Sequence, residues 1–168
     1  MKRKYRGFTL CVVLTCASFC AYAQAENAGN IIPMRPELTL EMAQKMADAS
    51  LAMARTLNVE QIAITVAGTD GRPIVTLRTA NCKFQICDWA EAKAETSWLK
   101  GKRTLDLGDA LRILTVKDST LIMGIGGGAP VLLGGTCVGG IGVSGAPHEI
   151  DQQIADAGAE FFNQQQGK

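Results

Sequence analysis

The chain is poor in the side chains from which most metal and hydrolytic centres are built. It carries one histidine among 168 residues, His148, and no C-x-x-C pair. With no C-x-x-C pair and no second histidine, the ligand spacing of a structural zinc site is missing. A catalytic Ser-His-Asp triad would have to use His148, and nothing in the spacing of serines and aspartates points there. Apolar runs that span a bilayer are missing too: Phe8 to Phe19 is about twelve residues long, against about twenty for a membrane helix. Beyond residue 25 no Lys/Arg run is interleaved with aromatics. Without a phosphate-tracking groove or a base-stacking platform, nucleic acid is not an expected partner.

What is present begins with a basic start, Lys2, Arg3, Lys4 and Arg6, followed by the short apolar stretch and then by Ala21-Tyr22-Ala23 and Ala23-Gln24-Ala25, small residues at cleavage spacing. Residues 1–25 therefore read as a secretory signal peptide cut after Ala23 or Ala25. A periplasmic or secreted mature chain without membrane attachment follows. Neither Cys16 nor Cys20 is preceded by the small residues of a lipidation site. Loss of the leader removes four basic residues and leaves 13 Lys+Arg against 16 Asp+Glu, a net charge of about −3. The remaining 143 residues can bury one substantial core. Of the six cysteines, Cys82, Cys87 and Cys137 stay with the mature chain. One pair and one free thiol is the simplest outcome in an oxidising compartment. Cys82 and Cys87 are close enough in sequence for a small-loop disulfide, with a labile redox or ligand thiol pair as the other reading.

Residues 26–37 lack periodicity and contain Pro33 and Pro36, so they read as an extended tether. Thr39 is an N-cap candidate, and Leu40, Ala43, Met46, Ala47, Ser50, Met53, Ala54 and Leu57 form the stripe of an amphipathic helix. Its methionines are core filler. Ile62–Ala67 and Ile74–Leu77, joined through Thr69-Asp70-Gly71, predict a hairpin. Asp88 with Glu91 has capping-box spacing and opens a second helix that runs to Gly101. A shorter helical or irregular piece occupies Leu105 to Leu114. Leu121–Ile125, Pro130–Leu133 and Cys137–Ser144, separated by glycines, predict a three-stranded meander, with Cys137 on the face of Ile141 and Val143. A last helix starts near Pro147 and buries Ile150, Ile154, Ala157 and Phe161. Short Gly-rich turns force antiparallel pairing, so the order α, ββ, α, βββ, α predicts an α+β domain with a single five-stranded antiparallel sheet and helices packed on it.

Gly140 to Gly145 spells G-x-G-x-x-G, a dinucleotide fingerprint. That motif needs a returning parallel strand and an acidic residue about twenty positions on. Only 23 residues follow Gly145, and the last helix uses most of them. The glycines are instead one strand face left bare for a close approach. Ser97-Trp98-Leu99-Lys100 spells S-x-x-K without the companion S-D-N or K-T-G of a penicillin-type serine acylase. Gly142-Val143-Ser144-Gly145 lacks the glycine that completes a nucleophile elbow.

The segment GGGAPVLLGGTCVGGIGVSGAPHEIDQQIADAG resembles the meander and last helix of the GlcG/HbpS family, which includes the C-terminal domain of PduO and is labelled haem-binding or haem-degrading. LTLEMAQKMADASLAMARTLNV resembles its first helix, and Lys93-Ala94, Thr96, Gly101 and Thr104 follow its K-A-x-T-A-x-x-x-G-R-x-T pattern. Lys100 stands where an aromatic is usual, and Lys102-Arg103 replaces Arg-Pro. Residues 38–168 are thus identified as a GlcG/HbpS-like domain. The resemblance implies a profilin-like fold, a homo-oligomer, and binding of haem or a related tetrapyrrole.

Residue chemistry, and for Thr96 the resemblance, offers positions where such a cofactor would sit. His148 would be an axial iron ligand; the other reading is a solvent-facing residue in a first helical turn. Thr96 would place a hydroxyl at the iron; the other reading is a back-bonded helix threonine. Lys93 and Lys100 would meet propionates, unless they only complement a helix end. Thr104, the last threonine of the pattern, joins this cofactor-binding set. Trp98 reads as a core anchor. Capture, sensing or storage of a ligand ranks ahead of a structural protein without one. An enzyme acting on haem or a small organic acid ranks lower, because no base-nucleophile pair stands out.

Overall fold

The computed structural model describes residues 36–108, 115–117 and 120–166. The expected signal peptide, most of the tether and the end of the Leu105–Leu114 piece lie outside the described residues. Three helices, α1 (Leu40–Thr56), α2 (Phe84–Lys100) and α3 (His148–Gln166), accompany the strands β1 (Ala63–Ala67), β2 (Pro73–Arg78), β3 (Thr115–Lys117), β4 (Thr120–Ile122), β5 (Gly128–Leu133) and β6 (Thr136–Ser144). A short 3-10 turn covers Thr104–Leu107.

The sheet is antiparallel, as short connections dictate, but it has four strands in the order β2-β1-β6-β5 where five were expected. The segment expected as a fifth strand, Leu121–Ile125, does not pair with β5. Its first residues pair with β3 in a separate two-stranded ribbon. The reason lies in the turn that should have joined it to β5. Gly127 has φ +124°, its N–H donates to Gln152 Oε1 on α3, and its carbonyl accepts from Val143 N–H on β6. The backbone groups needed for a hairpin are already spent elsewhere.

α1 starts where Thr39 Oγ1 accepts the Met42 N–H at 3.2 Å, and the chain leaves it through Asn58 at φ +56°. α2 starts at Phe84, four residues earlier than Asp88 predicts, with Lys83 as a cap that makes no side-chain bond. Asp88 and Glu91 are exposed inside the finished helix, so their capping-box spacing describes a solvated face. Gly101, left-handed at φ +60°, ends α2 as a C-terminal glycine should.

The two faces of the sheet are covered differently. Ile64, Val66, Ile141 and Val143 point to α1 and α3 and, with Met46, Val131, Ile154 and Phe162, form the core. Full burial of each aliphatic side chain there contributes about 1.5–3 kcal/mol. The buried stripe of α3 is Ile154, Ala155, Ala159 and Phe162, with Ile150 and Phe161 only partly covered. Ser50 on α1 donates to Ile154 O at 2.8 Å, and Gly158 leaves room for that helix pair to close.

On the opposite face Gly140 and Gly142 lie directly beneath α2. A Cβ on Gly142 would collide with the backbone of Ala90 and Ala94, and one on Gly140 with Ala94 O and Ser97 Oγ. The literal dinucleotide fingerprint is thus a seat for a helix that presents Ala90, Ala94 and Ser97 at the same spacing. Leu132 pairs with Cys137 and Val131 with Gly139, which leaves Val138 as the extra residue of a β-bulge. The bulge shifts the alternation by one. Cys137, expected beside Ile141 and Val143, instead turns to α2 and approaches Trp98 O at 3.5 Å. Pro73 and Pro130 lie on the two outer strands.

Candidate functional site

Between the N-terminal half of α2, the segment after β4 and the start of α3 lies a cavity of about 480 Å³. Its apolar wall is Ile86 and Trp89 from α2 with Met123 and Ile125 from the segment after β4. Its polar side chains are Lys93, Asp151 and His148, with Ser144 at the end of β6. Volume and lining fall within the usual range of small-molecule sites. A larger cavity of about 630 Å³ lies where α1 ends beside β1 and β2, but the charged side chains around it, Arg55, Glu60 and Arg78, are solvent-exposed. The smaller cavity holds the buried charges and is the better candidate.

Lys93 and Asp151 come from positions 58 residues apart, and their side chains are 3% and 1% exposed. Lys93 Nζ donates to Asp151 Oδ2 at 2.8 Å and to Val143 O at 2.8 Å. The other carboxylate oxygen of Asp151 accepts Ala146 N–H at 2.9 Å, which closes the first turn of α3. Burial pushes the Lys93 ammonium down from its ordinary range, and the Asp151 carboxylate opposes this. Burial likewise pushes Asp151 up, against the pull of Lys93, the Ala146 N–H and His148. Both groups are therefore moved toward their neutral forms by the same cause.

The segment that carries Met123 and Ile125 is clamped by hydroxyls and an amide. Thr96, fully buried, accepts Met123 N–H at 2.9 Å. Thr104 donates to Ile125 O and accepts Gly128 N–H, both at 2.8 Å. Gln152 accepts Gly127 N–H at 2.9 Å and donates to Gly128 O at 3.0 Å. These residues shape the wall without lining the cavity.

Of the residues singled out from sequence, Lys93 and His148 meet at the cavity. His148 is the exposed first residue of α3, on the rim. Thr96 and Thr104 sit behind the wall, and Lys100 is exposed at the far end of α2. Cys82 and Cys87 are free, with their sulfurs 4.0 Å apart, about twice a disulfide bond length, so the bridge is not formed in this structure. Burial and the neighbouring Cys87 push the Cys82 thiol up. Trp98 is partly buried against Gly71 and belongs to the packing of α2.

Sequence reasoning missed Trp89, 45% exposed at the cavity, and the partnership of Asp151 with Lys93. For Asp151 the signal was its place in the first turn of a helix. For Trp89 it was the four-residue spacing to Lys93 along α2. Among the described residues no cluster of three or more His, Cys, Asp or Glu suited to a metal ion occurs, and no helix is long and apolar enough to cross a membrane.

A helix-covered antiparallel sheet, with an apolar cavity and a buried ion pair at its wall, defines a small α+β domain. The family model described as "Haem degrading protein HbpS-like" matches residues 38–160, and the chain belongs to that family. An uncharacterized 15.0 kDa protein of Citrobacter freundii, from the dhaT-dhaS intergenic region, is 30% identical over 133 residues, 76% of this chain and 93% of that one. The crystal structure of a double mutant of Streptomyces reticuli HbpS is 35% identical, with a TM-score of 0.70 over 79% of this chain and 92% of its own. A PduOC:heme complex matches at 21% identity and a TM-score of 0.63, over 73% of this chain and 93% of that chain, a likeness of fold.

Proposed function

We propose that the chain is an exported binding module for haem or a related tetrapyrrole, held in the cavity beside Lys93. The observation that carries this reading is the make-up of the cavity: a wall of Ile86, Trp89, Met123 and Ile125 with the chain's one imidazole at its rim. Apolar walls and an aromatic face suit a flat macrocycle, and a neutral imidazole suits its iron. The donor set therefore fits the group, and the family description supports it. His148 would hold the iron, and Trp89 would lie against the ring. Bound haem would supply redox and gas-binding chemistry; the chain's own residues exclude water and orient the ring. Thr96 contributes by fixing the Met123 wall.

The test is titration of the mature chain with haemin. A Soret band that saturates at stoichiometric haemin supports the proposal, and His148→Ala shifts that band while Thr96→Ala leaves its position unchanged. No saturable band at micromolar protein overturns it. Addition of a reductant in the same cuvette separates binding from turnover, since loss of the band with release of an open-chain pigment would make the protein an enzyme.

A further inference from the structure

The cavity contains a buried amine–carboxylate pair whose covalent chemistry the tetrapyrrole reading leaves unused. Among the described residues Lys93 is the one primary amine on its wall, and its residual exposure is 3%. Asp151 Oδ2 lies 2.8 Å from Nζ, and Val143 O fixes the amine from a second direction at 2.8 Å. Gly127 has no side chain, and a Cβ there would stand 2.8 Å from Nζ. Around the pair the wall is apolar, which favours uncharged occupants. A lysine held in an apolar pocket beside a carboxylate has the parts of an imine-forming site: a nucleophile and a group that moves protons.

We propose that Lys93 forms a covalent imine with a small apolar aldehyde bound in this cavity, with Asp151 as its proton carrier. Lys93 passes one proton to Asp151, and the free amine adds to the carbonyl carbon. The carbonyl π pair moves to oxygen, which takes the proton from Asp151. The nitrogen then gives a second proton to the Asp151 carboxylate, and a neutral carbinolamine results. Return of that proton to the hydroxyl expels water and leaves a protonated C=N bond, with the Asp151 carboxylate as its counter-ion. One ammonium and one aldehyde become one iminium and one water, so no oxidant or further reactant is required. Burial supports the step, because it lowers the cost of the neutral amine.

The test uses butyraldehyde with sodium cyanoborohydride on the whole mature chain at neutral pH, followed by peptide mass mapping. Exposed Lys45, Lys83, Lys100 and Lys102 serve as internal references. The reduced adduct should accumulate on Lys93 at least about tenfold faster than on any of these, because the cavity holds the aldehyde beside this amine alone among them. Asp151→Asn should abolish that preference and leave the reference lysines unchanged, with circular dichroism as the check of folding. If Asp151→Asn does not fold, the wild-type map alone decides. Labelling of the reference lysines with Lys93 unmodified overturns the proposal, as does equal labelling of all five. Haemin is absent throughout, so failure here and failure of the tetrapyrrole reading are separate results.

Discussion

The two faces of the sheet reach the same burial by opposite means. Toward α1 and α3, bulky Ile64, Val66, Ile141 and Val143 fill the space between layers. Toward α2, Gly140 and Gly142 remove side chains altogether, and the helix backbone rests on the strand. A filled interface can lose a methylene and relax, whereas one built from backbone contact has nothing to give. Close seating also has a functional result. It brings the Lys93 side chain to Val143 O and, past the end of β6, to Asp151. A helix held further out could not reach across.

Substitutions that exchange the properties of the two faces test this contrast. The largest effect is expected for Gly142→Ala, whose added carbon would meet the Ala90 carbonyl and the Ala94 backbone. Loss of cooperative unfolding in urea is the expected result, a destabilisation above about 4 kcal/mol. A folded variant with an unchanged midpoint would show that α2 is not seated as described. Next comes Asp151→Ala, which leaves Lys93 buried without its partner and should cost about 3–5 kcal/mol by chemical denaturation. The double variant Lys93→Met/Asp151→Leu should recover most of that loss, because an apolar pair of similar volume suffers no charge burial. The smallest effect falls on the filled face, where Ile141→Val removes one methylene and should cost about 0.5–1.5 kcal/mol. A larger loss there than at Gly142 would reverse the comparison.

The contrast also explains which parts of the molecule were legible in the sequence. Periodicity gave α1, the β1–β2 hairpin, β5, β6 and α3, because each carries its own apolar pattern. The bare strand face was readable as a close approach from Gly140 and Gly142, although its occupant, α2, was not. The fifth strand failed because Leu121–Ile125 has a strand's composition while its neighbour Gly127 is held by Gln152, a contact across 25 residues. The orientation of Cys137 failed because one extra residue, Val138, inverts the alternation before it. At the site, Lys93 and His148 were legible as residue types at known positions. Asp151 as the partner of Lys93 was not, since pairing at that separation is a property of the fold alone. Thr96 and Thr104 were visible as a pattern, and the structure assigns their hydroxyls to backbone groups behind the cavity wall.

The prolines on the outer strands bear on how copies of this chain can meet. Pro73 at the start of β2 and Pro130 within β5 each delete a donor from an edge that would otherwise present an unbroken ladder to a stranger. Neither border can be extended strand by strand into a neighbouring molecule without a gap. Fibril-like stacking is thereby discouraged at both margins, and contacts between copies are left to helical and loop surfaces such as the exposed ring of Phe84.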